Sequence, residues 1–524
     1  MTENIRRIEE NAKKFISLYG KGVIGQVIIG LIVYFMMMSL NLVNDLDGLW
    51  HPSNFIAGDW EISLGRALQR YADRARFGIV SESFNSILTL LLISIGNTLI
   101  VYKLRIEHTL YKCLFYIILI ANPIVCCSLS YSYMSVNFGL AYCFSVLSFI
   151  FIDTDIKSKK KFMISILFSA CFLGISMAFY QAYICVTSVL IVSMILKMLV
   201  ENKGTKYCFK YIILCICAYC VGGVVYFIIT KTFLYRADVQ LASYKGASNV
   251  DILYMIKALP NSIKQCYKQF GIYCFDLKAF SNLEFVDILL YGFLAIYALT
   301  IIIQGYKLLK NSLINGILFF VMIGVLPIAS CSVLLIAVGN SMTELMSMGM
   351  LLCILLLGRI VPDDGKFGFI LKRIYLVIML AFMWFQLSAV ENDQLALKEG
   401  KNATITLTEN IIQNLKMDYN LDEKKVVAFV GRPADNNTFT KSRAYNMANR
   451  YAMFGCWSTN ARNNRVSWSG VISNFLGTNI NLCSDADYEK IVQSERIKSM
   501  PEYPAEGSIC MIEDLIVVKV SDNY

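Results

Sequence analysis

Charge is what this sequence is short of. Asp, Glu, Lys and Arg make up 16% of the 524 residues, against 56% hydrophobic, where a soluble domain carries about 25% charge. That excludes a soluble globular enzyme and points to an integral membrane protein with many spans. Histidine is nearly absent, with only His51 and His108, which removes a His-rich metal site. Cysteine is plentiful at 17, yet no CxxC pair is followed by a second at zinc spacing. Many of the cysteines, such as Cys126, Cys127, Cys215 and Cys220, lie in apolar runs and read as small apolar residues. No small-residue cleavage site follows the first apolar run, so that run reads as a retained span. Internal repeats and low-complexity segments are also missing.

What is there is a succession of apolar runs near the 20 residues a span requires. Eleven are expected: 23–43, 83–102, 110–130, 135–152, 162–180, 183–200, 207–230, 285–304, 312–336, 343–361 and 369–390. The 343–361 run is short and contains Glu344. The net charge of +10 would suggest nucleic acid in a soluble protein. Here the Lys and Arg residues fall in short loops and report topology instead. With the N-terminus in the cytoplasm, loops 103–112, 153–161, 201–210, 304–310 and 359–373 each carry two or more of them, and the outer connections near 130–135 and 181 carry none. The expected organisation is a cytoplasmic segment (1–22), a multi-span domain (23–390) with outer loops 44–82 and 231–284, and an extracytoplasmic C-terminal domain (391–524).

The tail reads as a small α/β domain. Residues 403–417 have helical spacing, KVVAFV at 425–430 is a strand, and Ser484 with Asp485 and Asp487 looks like a helix start. Segments 508–512 and 515–520 flank Glu513-Asp514 as a closing hairpin. Tyr445, Trp457 and Trp468 suit either an acceptor platform or a domain core.

The chemistry concentrates in the first outer loop, NDLDGLWHPSNFIAGDWEISLGRALQRYADRAR, residues 44–76. Asp45 and Asp47 directly follow the first span, where a carboxylate is a functional candidate or a turn residue. Residues 59–76 have the spacing of one two-faced helix, with Arg66, Arg70 and Arg74 a turn apart. That pattern suits gripping a phosphate or lying on anionic lipid.

The residues Asn44-Asp45-Leu46-Asp47-Gly48, Asp59-Trp60-Glu61, Leu64-Gly65-Arg66 and Tyr180-Gln181-Ala182-Tyr183 resemble those of the GtrII-type glucosyltransferase family, within the GT-C class of polyprenyl-phosphate-sugar-dependent membrane glycosyltransferases. The resemblance implies a GT-C-like polytopic helical fold. It implies transfer of a glucosyl or other hexosyl residue from an undecaprenyl-phosphate donor to a cell-envelope polysaccharide outside the membrane. Asp45 or Asp47 would be the base, and which of them is left open, because Leu46 separates two acids that are often adjacent in the family. Arg66 or Arg70, or Lys231 or Arg236 from the second outer loop, would meet the leaving phosphate. Asp59, Trp60, Glu61, Tyr180 and Gln181 would line the sugar and acceptor sites. No cofactor is required by such a displacement, and a divalent cation on the acidic pair stays open. The implied partners are the lipid-linked donor, the glycopolymer acceptor and membrane lipids, with a donor synthase and a flippase upstream. Two other readings stand beside this one. A transporter or flippase for lipid-linked saccharide would show repeats and mid-span charges, which the sequence lacks. A polysaccharide polymerase or ligase is chemically close to the first reading.

Overall fold

The computed structural model describes residues 2–51, 53–153, 159–242, 252–275, 286–362, 364–422 and 424–524. Among the described residues, eight helices are long and apolar enough to cross a membrane, and shorter apolar helices form at 19–33, 135–151 and 348–357. The chain is therefore a helical membrane protein. Eight of the eleven expected spans reach spanning length, and the other three stop short of it.

Helix α1 (Thr2–Val33) continues as α2 (Phe35–Ser39) after a break at Tyr34. The break frees a carbonyl and an N–H that a continuous helix would pair. Gln394 fills both, its Nε2 donating to Val33 O at 2.9 Å and its Oε1 accepting from Met37 N at 3.0 Å.

The first loop holds α3 (Asp47–Trp50), α4 (Asp59–Ser63) and α5 (Gln69–Ala75). The single helix expected over 59–76 is thus two short ones. Gly65 separates them at φ +74°, and a Cβ there would lie 2.3 Å from Tyr226 Oη. Only glycine takes that conformation and that proximity without strain. Arg66, Arg70 and Arg74 consequently do not form one stripe.

The bundle continues through α6 (Glu82–Leu104), α7 (Thr109–Ile120), α8 (Pro123–Ser130), α9 (Ser135–Phe151), α10 (Lys159–Phe179), α11 (Ile184–Val200) and α12 (Thr205–Ala237). Asn122 breaks the run between α7 and α8. Its Oδ1 accepts from the N–H groups of Ile124 and Val125, and its Nδ2 donates to Ile118 O and Leu119 O. Both severed helix ends are satisfied, which a break in hydrocarbon demands. Polar side chains stitch the helices inside: Asn97 donates to Gln26 at 2.9 Å, and Tyr142 donates to Asn97 at 2.6 Å.

The expected second outer loop is largely helical. Helix α12 runs to Ala237, and α13 (Ile252–Phe275) follows. Helix α13 lies against the bundle: Tyr267 donates to Gly324 O at 2.5 Å, and buried Cys266 donates to Cys331 O at 3.4 Å. Next come α14 (Val286–Asn311), α15 (Leu313–Ser330) and the ten-residue α16 (Met348–Leu357). Buried from Met348 to Leu356, α16 is a core helix in place of the expected 343–361 span.

Helix α17 (Gly365–Tyr419) has 55 residues, roughly 80 Å at 1.5 Å per residue. It passes residue 390 unbroken and leads into the C-terminal sheet of β1 (Val426–Val430), β2 (Asn481–Leu482), β3 (Ile509–Ile512) and β4 (Leu515–Lys519). The strand order is β2-β1-β4-β3, with β1 parallel to β2 and β4, and β3 and β4 an antiparallel hairpin. Four helices accompany it: α18 (Arg443–Asn446), α19 (Ala461–Phe475), α20 (Asp485–Gln493) and α21 (Glu495–Ser499). Ser484 caps α20 by accepting from Asp487 N at 3.2 Å. Trp457, Trp468 and Tyr445 are buried in this domain. Trp457 donates to Asn464 and Trp468 to Gly431 O, so they are core residues and form no surface platform. Cys456, Cys483 and Cys510 are all free.

Candidate functional site

The sequence NDLDG folds as a tight turn pinned to the end of α8. Asn44 Nδ2 donates to Ser130 O at 3.0 Å, and its Oδ1 accepts from Leu46 N and Gly48 N, both at 3.1 Å. This is the local side-chain bonding that favours Asn in turns. Gly48 is needed because a Cβ there would lie 2.7 Å from Ser130 O. The turn buries Asp45 to 2% exposure and leaves Asp47 half-buried at the start of α3.

Asp45 meets the C-terminal domain directly. Its Oδ2 accepts from Cys456 N at 3.0 Å and lies 3.8 Å from Arg450 Nη1. Arg450 also donates to Cys456 O. Burial pushes the Asp45 carboxyl up to about 6, against the opposing pull of Arg450, the Cys456 N–H and Arg432. Taking a carboxylate from water disfavours its charged form, and the nearby cation recovers part of that cost.

Arg450 is held in place from below. Asp393, on α17 and 1% exposed, accepts from Asn449 N at 2.9 Å, Asn449 Nδ2 at 2.7 Å and Tyr451 Oη at 2.6 Å. Both neighbours of Arg450 are thereby tied to one buried carboxylate. Glu344 completes this side. Burial raises its carboxyl above the usual range, and Arg450 opposes the rise.

Tyr131 and Tyr133 line the other side. Tyr133 is buried and Tyr131 partly buried, and desolvation pushes both hydroxyls well above their usual range. Asp45, Asp47 and Tyr180 act electrostatically on Tyr131, and Asp47, Arg66 and Glu61 on Tyr133. Arg66 lies over the Tyr180 ring at 4.8 Å, within cation–π range. Its Nε is buried without a hydrogen-bond partner. These contacts link Asp45, Asp47, Arg66 and Arg450 with Tyr131, Tyr133 and Tyr180 in one charged cluster where the first span ends.

The remaining sequence candidates fall elsewhere. Arg70 donates to Ala57 O at 2.9 Å and to Asp59 at 3.2 Å, so those two residues brace the loop together. Glu61 accepts from Gly58 N at 2.7 Å and caps α4. Trp60 is 55% exposed. Gln181 donates to Leu64 O at 2.7 Å and to Tyr226 Oη at 2.9 Å, fastening the first loop to α12. Lys231 and Arg236 are exposed near the end of α12, and among the described residues no hydrogen bond or ion pair joins them to Asp45.

Sequence reasoning missed Tyr131, Tyr133, Asp393, Arg450 and the buried pair of Asp73 and Arg76. Asp73 accepts from Arg76 at 2.5 Å, Ala57 N at 2.9 Å and Asn137 at 3.1 Å. The one available signal was Glu344, a carboxylate inside an otherwise apolar run. Among the described residues no three His, Cys, Asp or Glu side chains gather as a metal cluster.

No curated protein and no solved structure matches the chain. The sequence profile of the glucosyl transferase GtrII family matches residues 52–357. That is more than half of the chain, beginning just after Asp47 and ending before Asp393 and Arg450. On that match the chain belongs to the GtrII glucosyltransferase family and is a membrane glycosyltransferase.

Proposed function

We propose that the protein moves a glucosyl residue from a polyprenyl-phosphate donor to a cell-envelope polysaccharide at the outer membrane face, with Asp45 as the base. The observation that carries this reading is Asp45 itself. It is a carboxyl buried where the first span ends, held near 6, and ion-paired with Arg450. At neutral pH it is mostly ionised and still basic enough to take a proton, as an effective general base should be.

The acceptor hydroxyl oxygen attacks the anomeric carbon while its proton passes to an Asp45 carboxylate oxygen. The bond between that carbon and the phosphate oxygen breaks, and the phosphate departs as an anion with inversion at the anomeric centre. Arg66 supplies the stabilising charge, its buried Nε needing an acceptor that the protein leaves unfilled. Tyr180 holds the Arg66 guanidinium from beneath. Asp47, half-buried beside Tyr131 and Tyr133, orients the acceptor.

In this reading the C-terminal domain lies outside, on the side where the donor is used. The membrane-spanning part is taken to run from about 22 to 390, although helices continue unbroken across both positions. The upstream synthase and flippase follow from a lipid-linked donor.

The test is transfer of labelled glucose from undecaprenyl-phosphate-glucose in membranes carrying wild type or Asp45→Asn, with envelope extract as acceptor. Transfer by wild type and its loss in the variant is the expected result. Equal transfer by both would remove Asp45 from the mechanism. Donor crossing the membrane with no new linkage would favour the flippase reading.

A further inference from the structure

The end of the bundle opposite Asp45 has a concave surface of its own. Two clefts adjoin there, of about 1060 Å³ and 540 Å³, and share Arg105, Glu107, Lys197 and Glu201 as a common wall. Leu104 ends α6, whose first residue, Glu82, lies at the first loop. The 23 residues of that helix put roughly 35 Å between the two ends.

At this wall, two cations converge on one neutral oxygen. The Leu104 carbonyl accepts from Lys197 Nζ at 2.8 Å and from Arg359 Nη2 at 3.1 Å. Arg105 lines the same cleft as Lys197 and Arg359, and three like charges brought together repel one another. Among the described residues, Glu201 is the one carboxylate ion-paired with any of the three, at 3.7 Å from Lys197. Arg359 has five N–H protons to place, and its Nε is buried without a hydrogen-bond partner.

The ordinary explanations cover part of this. A positive-inside bias brings Lys and Arg to one end of a bundle, and a helix C-terminus attracts a cation to its last carbonyls. Neither gathers three cations from the ends of α6, α11 and α16 at one point with a single paired carboxylate. Neither leaves a guanidinium N–H buried and empty. An anion with several acceptor oxygens removes the repulsion and fills the vacant donor together. Phosphate has that charge and that number of oxygens, and guanidinium matches it as a planar fork.

We propose that Arg105, Lys197 and Arg359 form a phosphate-binding site, separate from the Asp45 centre and at the other end of the bundle. The phosphate belongs either to the headgroup of an anionic membrane lipid or to free phosphate. The adjoining clefts leave room for the rest of a headgroup. The inference does not depend on the proposed transfer reaction.

The experiment titrates delipidated full-length protein in neutral detergent with inorganic phosphate and, separately, with phosphatidylglycerol. Binding is read by calorimetry and by lipid retention in native mass spectrometry. The wild type is expected to bind one of the two probes, and Arg105→Gln to weaken that binding about tenfold or more, the loss of one charge-assisted contact. Lys197→Arg keeps the charge and should keep binding. Arg105 is the informative position because it is exposed and makes no bond to the Leu104 carbonyl, so its loss leaves that helix end intact. Lipid retention without a phosphate response identifies a headgroup site, and a phosphate response identifies a free-anion site. Failure of both probes on the wild type, or equal affinity in Arg105→Gln, would overturn the proposal.

Discussion

The residues clustered about Asp45 form two walls from opposite ends of the chain, and these hold their arginines differently. On the first-loop wall, Arg66 rests on the Tyr180 ring and its Nε has no hydrogen-bond partner. On the C-terminal wall, Arg450 is ion-paired with Asp45, donates to Cys456 O, and is flanked by two residues tied to Asp393. One guanidinium has donor capacity left for a ligand, and the other is engaged with the Asp45 carboxylate. On the proposed reading, the contrast separates the task of meeting a leaving group from that of tuning the group that takes the proton.

Substitutions can break that contrast, and the largest effect belongs to the proposed base. Asp45→Asn should lower kcat by about 10²–10⁴, the usual worth of a general base, in a protein with an unchanged helical spectrum. Arg66→Gln should follow at about 10²–10³, the loss of a preorganised charge on a developing anion, with the pH profile unmoved. Arg450→Gln sharpens the comparison. It removes the cation that pulls the Asp45 carboxyl down, so the acid limb of the pH–rate profile should move upward. Asp393→Asn should reproduce that movement more weakly, with about a tenfold loss in kcat. An unmoved profile in Asp393→Asn, whatever its activity, would reduce Asp393 to a purely structural part. Smallest of all, Arg70→Gln should stay within about twofold, because Asp59 and Ala57 already engage its guanidinium at a half-exposed site where ion pairs contribute little.

The pH dependence of the wild type follows from the same carboxyl. A base must be ionised to act, so the rate should rise through about pH 6 and level off above it. Stability runs the other way. The folded-state value of Asp45 lies above its unfolded value of 3.8, so its contribution is complete below pH 3.8 and is lost as pH rises through 6. The loss is on the order of 3 kcal/mol. Thermal melting of Asp45→Asn should therefore match or exceed that of the wild type at pH 8 while activity is gone.

The first-loop wall was legible in the sequence because its residues are close together. Asp45, Asp47 and Arg66 lie within 22 positions of one another, in a polar stretch between apolar runs. Arg450 is some 400 residues away in an ordinary polar tail, and nothing local marks it. Asp393 falls just past an apolar run, where an acid reads as the start of a solvent-facing segment. Its burial depends on Asn449 and Tyr451 folding back onto α17, which no periodicity reports. Helical periodicity also failed at 59–76, where one glycine at positive φ outweighed the pattern. The bundle itself was legible because hydrocarbon length is a crude constraint. The miss at α16 is a helix covered by protein, and apolar content alone does not tell that cover from lipid.

Helix α17 has a mechanical consequence. It runs from the bundle to the turn before β1 without a hinge, and Gln394 pins it to the α1–α2 break near its middle. A rod of this kind works as a ruler. It fixes the height of residues 449–456 relative to the end of the first span, and the pocket keeps one depth through a catalytic cycle. A sugar donor and its acceptor must then come to that depth.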